Sequence, residues 1–212
     1  MAKNQDTYPV KLEVDYPNKL DRFTTFFRLI WIVPIVLVLA VLESGAGVFL
    51  GEYANDGTTQ AASIVGGLFV ATGLMIVFRE RYPKWWFDFN LEFNRFSMRI
   101  MAYLFLLTDK YPSTVEHQTV HLDIEYPEVQ KDLNRWLPLV KWILALPHYI
   151  VLIALFLMML VSVVIAWFAI LLTGKYPKSL FDIVVGVNRY AMRVTAYAIL
   201  LTTDKYPPFS LD

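Results

Sequence analysis

The sequence predicts an α-helical integral membrane protein made of two parallel repeats, each a short β-strand, an apolar helical hairpin and an interfacial amphipathic helix. Three observations predict it. Hydrophobic residues make up 57% of the chain, above the roughly 45–50% of soluble domains, and they are clustered. Phe26 to Leu42 holds one charge, Arg28; Ala61 to Phe78 holds none; Trp142 to Gly174 is a third, uncharged run. Residues 81–107 align without a gap on 175–201, with 13 of 27 positions identical, which marks an internal duplication. Two short segments alternate apolar and polar residues, as strands with one covered face do.

The first unit is expected over residues 8–112 and the second over 117–207. "VKLEVDYP" at Val10 to Pro17 matches "VHLDIEYP" at Val120 to Pro127. Val10, Leu12 and Val14 face one way and Lys11, Glu13 and Asp15 the other; Val120, Leu122 and Ile124 oppose His121, Asp123 and Glu125. A two-fold axis between the strands makes them an antiparallel pair, whose apolar face needs the amphipathic helices or another chain to cover it.

The apolar runs follow. A span needs about 20 mostly apolar residues to cross a hydrocarbon core of roughly 30 Å. Two crossings per unit leave each strand and its amphipathic helix on one side, and relate the units by a pseudo-two-fold along the membrane normal. The run from Trp142 to Gly174 has only 33 residues, fewer than two full crossings and a turn require. It is therefore expected either to cross twice around a tight turn near Ser162 or to form a shallow re-entrant hairpin, with Pro34 and Pro147 bending the first arm of each unit. Gly66, Gly67 and Gly73 are expected to permit close helix packing.

Seven of the twelve Tyr precede Pro, and "TDKYP" occurs at Thr108 to Pro112 and again at Thr203 to Pro207. Proline stops or redirects an element, and Tyr favours the membrane interface. The pairs are thus expected as punctuation at headgroup level.

Lys and Arg are absent from Leu29 to Phe78 and from Trp142 to Gly174, whereas the loop from Glu43 to Gln60 carries Glu43, Glu52 and Asp56. The positive-inside rule puts the basic flanks and both termini in the cytoplasm and that loop on the far side. The N-terminus has no apolar core or cleavage site of a secretory signal, so the chain is expected to begin as written.

Candidate functional residues sit on the duplicated amphipathic helices. Asp88, Arg95 and Arg99, and likewise Asp182, Arg189 and Arg193, are spaced by seven and four, which puts each trio on one helical face. Asn94 and Asn188 accompany them. These eight residues are candidate contacts to anionic lipid headgroups or a partner; the alternative is that they tie helix to strand within the chain. His117 and His121 form an H-x3-H pair without the context of a metal site, because His121 alternates within a strand. His148 lies inside an apolar run, where an ionisable group is suspect by default, although a neutral, hydrogen-bonded imidazole also fits. With no Cys, disulfides, thiolate sites and cysteine nucleophiles are excluded. No catalytic constellation, metal or cofactor is expected, and the balanced charge gives no support to nucleic-acid binding.

The doubled pattern "VxLxxxYP", apolar hairpin, "YPxxxFD", "NRxxMR" and "LLTDKYP" resembles the bacterial membrane family known as domain of unknown function 4389, as two copies over nearly the whole chain. The resemblance implies bacterial origin and membrane residence, hence the inner membrane, and brings no activity or site residue with it. The resulting expectation is a non-catalytic inner-membrane scaffold or accessory subunit, contacting lipid and either another membrane protein or its own copies. The alternative is a lipid-binding or transport protein that uses the space between the repeats.

Overall fold

The computed structural model describes residues 8–44, 64–113, 116 and 118–212. The expected acidic loop from residue 45 on, and His117, lie outside the described residues. In chain order the elements are β1 (Val10–Val14), α1 (Arg22–Trp31), α2 (Val33–Ser44), α3 (Ile64–Arg79), α4 (Lys84–Leu104), β2 (Val120–Ile124), α5 (Val129–Asp132), a 3-10 turn at Leu137–Leu139, α6 (Lys141–Leu144), α7 (Leu146–Thr173) and α8 (Lys178–Ala198).

β1 and β2 pair antiparallel, with Leu12 opposite Leu122 and Val10 opposite Ile124. Their alternation sorts the faces as the sequence requires: Val10, Leu12, Val120, Leu122 and Ile124 are buried, while Lys11, Glu13, His121 and Asp123 are exposed. The apolar face is covered crosswise. α8, from the second half of the chain, packs on β1, and α4, from the first half, packs on β2. The amphipathic helices begin immediately after Pro83 and Pro177, where a missing N–H costs a helix nothing.

A third layer backs the first two. α7 packs against α8, and α2 against α4. α1 and α2 meet at a bend of 42° just ahead of Pro34, and α6 gives way to α7 at the matching place, just ahead of Pro147. Proline clashes with the carbonyl of the preceding turn and breaks the ladder there.

The structure corrects the second hairpin. Leu146 to Thr173 is one 28-residue helix with no turn at Ser162, whose hydroxyl donates to the Met158 carbonyl at 2.8 Å within the helix. This back-bond satisfies the only polar side chain that could have opened a turn. The helix ends at Gly174, whose φ of 72° closes it with an N–H bond to the Ile170 carbonyl at 2.7 Å. Among the described residues α7 alone is long and apolar enough to cross a membrane, joined by a second span if the bent pair α1 and α2 counts as one. Its most apolar stretch has a mean hydropathy of 3.0, yet only 17% of that stretch is buried, whereas the core helix of a soluble protein is mostly covered.

Two of the three glycines do less than expected. Gly67 faces open space, and Gly73 has only Leu201 at an ordinary 3.8 Å.

Candidate functional site

The two TDKYP segments each hold a buried cation. Arg28 of α1 is 2% exposed. Its guanidinium pairs with the Asp109 carboxylate, donates to the carbonyls of Tyr103 at 2.8 Å and Thr108 at 2.9 Å, and lies 4.5 Å from the Tyr103 ring centre. Lys141 of α6 is 1% exposed. Its ammonium pairs with Asp204 at 2.7 Å, donates to the Thr203 carbonyl at 2.7 Å, and lies 5.1 Å from the Tyr197 ring. When Pro34 is set on Pro147, Arg28 falls on Lys141; Asp109 and Asp204 are the same residue of the repeated motif.

Each carboxylate does a second job. Asp109 accepts the Asp21 backbone N–H at 2.7 Å, and Asp204 accepts that of Asn134 at 2.5 Å, so both hold the entry to a first apolar arm. The threonine of each motif shapes its turn: Thr108 and Thr203 Oγ1 accept from the N–H of Lys110 and Lys205. Burial pushes the Lys141 ammonium below its usual pKa, and the Asp204 carboxylate opposes that shift. An unpartnered charge at such a depth would cost several kcal/mol, roughly the loss seen when one member of a buried pair is removed.

Two of the seven Tyr-Pro pairs are corrected by the same logic, while Tyr16, Tyr111, Tyr126 and Tyr206 are exposed. Tyr82 and Tyr176 are buried in the core, not at an interface. A buried phenol needs an acceptor, and each finds one across the molecule: Tyr82 donates to the Leu200 carbonyl at 3.1 Å and Tyr176 to that of Phe105 at 3.5 Å. Burial raises Tyr82 to about 12 and raises Tyr176 as well. Tyr126 donates to the Tyr82 carbonyl at 2.5 Å, and Tyr16 to the Tyr176 carbonyl.

The eight candidate residues divide between two faces. Arg95 donates to the Leu122 carbonyl at 2.8 Å and pairs with Asp123 at 3.0 Å and Glu92 at 2.6 Å. Arg189 donates to the Leu12 and Leu211 carbonyls, both at 3.0 Å. Arg99 holds the Ser113 carbonyl at 2.6 Å, and Arg193 those of Ser210 and Asp212. All four arginines thus bind strands or connecting segments on the sheet side. Asp88 pairs at the surface with Lys84 at 2.7 Å, and Asp182 is exposed. Asn94 and Asn188 point the other way, each donating to the carbonyl four residues earlier. Asn188 also reaches Met159 Sδ at 3.6 Å. Asn94 lines a cavity of about 30 Å³ with Asn90, Thr72 and Thr195, room for about one water.

Among the histidines, His121 Nε2 lies 3.4 Å from an Asp15 carboxylate oxygen on the exposed sheet face. His148 is fully buried, with Nδ1 2.5 Å from the Tyr190 hydroxyl and its ring stacked 4.3 Å from Phe209. No group of three metal-ligating side chains occurs among the described residues.

The sequence signal for the buried cations was present. Arg28 is the single charge of an apolar run, and the aspartate of a repeated pentapeptide is its natural partner.

No curated protein and no solved structure matches the chain. A family model matches residues 136–210, which include α6 to α8 and the second TDKYP; the match does not extend to the copy expected over 8–112. Over that stretch the chain matches the family described as Domain of unknown function (DUF4389).

Proposed function

We propose that the chain is a non-catalytic scaffold or accessory subunit of the bacterial inner membrane, built from two copies of one unit. Its apolar helices meet lipid, and its polar sheet face and both termini lie on the cytoplasmic side. One observation carries the reading. The four arginines of the duplicated helices, the obvious candidates for chemistry or headgroup capture, are committed to backbone carbonyls inside the chain. What remains to be presented outward is a charged strand face and an uncharged helical face.

The matching buried cations, matching tyrosine bonds and crosswise strand packing support two copies of one unit. Lys175 and Lys178 beside the end of α7, with Arg79 and Arg81 beside the end of α3, support the cytoplasmic placement.

Mild extraction followed by native mass measurement tests the proposal. The expected result is an assembly heavier than the 24.5 kDa chain, with a stable protein partner or further copies. A lone monomer that moves lipid or solute after reconstitution would replace the scaffold reading with the carrier.

A further inference from the structure

We infer that the chain sits in one leaflet, with α7 lying in the plane of the membrane and its exposed apolar face seated on the acyl chains. This rests on the membrane residence proposed above and concerns how the membrane is met.

The first ground is that α7 cannot be oriented independently of α8. The two helices are joined end to end through Gly174, and at the opposite end Ala145, just ahead of α7, packs with Tyr197 and Ala198. Midway, Met159 Sδ meets Asn188. They therefore run antiparallel along their length and share one tilt.

α8 in turn fixes the sheet. Next to Asn188, Arg189 donates to the Leu12 carbonyl at the middle of β1. The middle of α7, the middle of α8 and the middle of β1 are thus stacked, and the outer face of that stack carries exposed Lys11, Glu13 and Asp123. An α7 standing along the membrane normal would bring those charges to the depth of the bilayer centre. There each costs about 2.5–3.5 kcal/mol on the most lenient scale. Laid flat, the same stack has its apolar layer in lipid and its charges in water, at no such cost.

The side chains agree as well. Ile150, Leu157, Val161, Val164, Phe168 and Leu172 are exposed at spacings of seven, four, three, four and four, and they form the middle of a broad apolar face that also takes in Ile153, Leu160 and Ile165 and runs the whole helix. His148, Met159, Ser162, Ala166 and Ile170 are buried on the side facing the protein. A helix held in the plane embeds such a face to a depth of about 5–10 Å.

The chain has no native Cys, so depth can be read directly. Ile150→Cys, Val161→Cys and Leu172→Cys, at the start, middle and end of that face, are each labelled with a fluorophore. The full chain is then reconstituted in phosphatidylcholine and phosphatidylglycerol vesicles that carry a nitroxide at a shallow or a deep acyl position. The expected result is the same ratio of shallow to deep quenching at all three sites. Deep quenching at Val161→Cys with shallow quenching at both ends would overturn the in-plane placement and leave membrane residence standing. No quenching by either lipid would overturn both.

Discussion

The 12 residues of α2 and the 16 of α3 align on the 28 of α7, Pro34 on Pro147 and Arg79 on Thr173. By that alignment residues 45–63 fall in the middle of what the second half of the chain builds as one uninterrupted helix. An apolar hairpin was expected in both halves. In the second half, where no such segment intervenes, the apolar run makes a single long helix. The buried cations continue the comparison, since an arginine in one unit does the work of a lysine in the other. Arg28 spans a carboxylate, two carbonyls and a ring face, whereas Lys141 has one carbonyl fewer. A planar guanidinium with five donors can hold all of these at once; an ammonium is a point charge with three.

The largest expected effect separates these two sites. Arg28→Leu and Lys141→Leu each leave an aspartate without its cation, and each should destabilise the chain by about 3–5 kcal/mol, with Arg28→Leu the worse. Chemical unfolding in a mild detergent reads the difference. Adding Asp204→Asn to Lys141→Leu should recover part of the loss, because the stranded carboxylate is then neutral. Losses near those of ordinary surface pairs, below about 1 kcal/mol, would show both sites to be solvated.

The tyrosines give a smaller and pH-dependent effect. Tyr82 is raised from 10.0 to about 12 by burial, so the folded chain keeps the phenol neutral while the unfolded chain ionises it. The contribution is complete below pH 10, falls as pH rises from 10 to about 12, and is level beyond. Two units correspond to about 2–3 kcal/mol. Tyr82→Phe should flatten that part of the alkaline decline and, at neutral pH, lose about 1 kcal/mol with its hydrogen bond. Tyr176→Phe should lose less at neutral pH, since its bond to the Phe105 carbonyl is the longer one. An alkaline profile unchanged by either substitution would place the decline elsewhere.

What the sequence disclosed follows from the kind of signal each element leaves. Strict alternation gave β1 and β2, the two-fold relation of their sequences gave the antiparallel pairing, and Tyr-Pro followed by a 3.6-residue period gave the starts of α4 and α8. Alternation says which strand face is apolar but not which helix covers it, so the crossing of β1 to α8 and β2 to α4 was invisible. A run that is hydrophobic all round has no period in which to locate a turn, so α7 could be read as a hairpin. Arg95 and Arg189 were singled out as equivalent, but their carbonyl partners on Leu122 and Leu12 lie 27 and 177 residues away. Arg28 and Asp109 are 81 residues apart, and their pairing appears only once α1 and the end of α4 are brought together.

The smallest effect tests the ends of the long helices. α7 closes at Gly174 with φ 72°, and the aligned position after α3 is Glu80 with φ 49°. A side chain in the left-handed region costs about 1–2 kcal/mol relative to glycine, so the two units solve one turn with different residues. A Cβ built on Gly174 meets nothing nearer than Arg22 Nε at 3.7 Å and the Leu20 carbonyl at 3.8 Å, which leaves backbone conformation as the whole penalty of Gly174→Ala, about 1 kcal/mol. Glu80 offsets its strain with a 3.1 Å ion pair to Arg135, a residue that also donates to the Val77 carbonyl at the end of α3. Arg22 occupies the corresponding place beside α7, donating to the Leu172 carbonyl at 3.0 Å. Gly174→Glu should therefore destabilise less than Gly174→Ala, because the new carboxylate finds Arg22 as Glu80 finds Arg135. Midpoints of chemical unfolding for the two variants decide it, and a Glu variant less stable than the Ala variant would break the equivalence of the two helix ends.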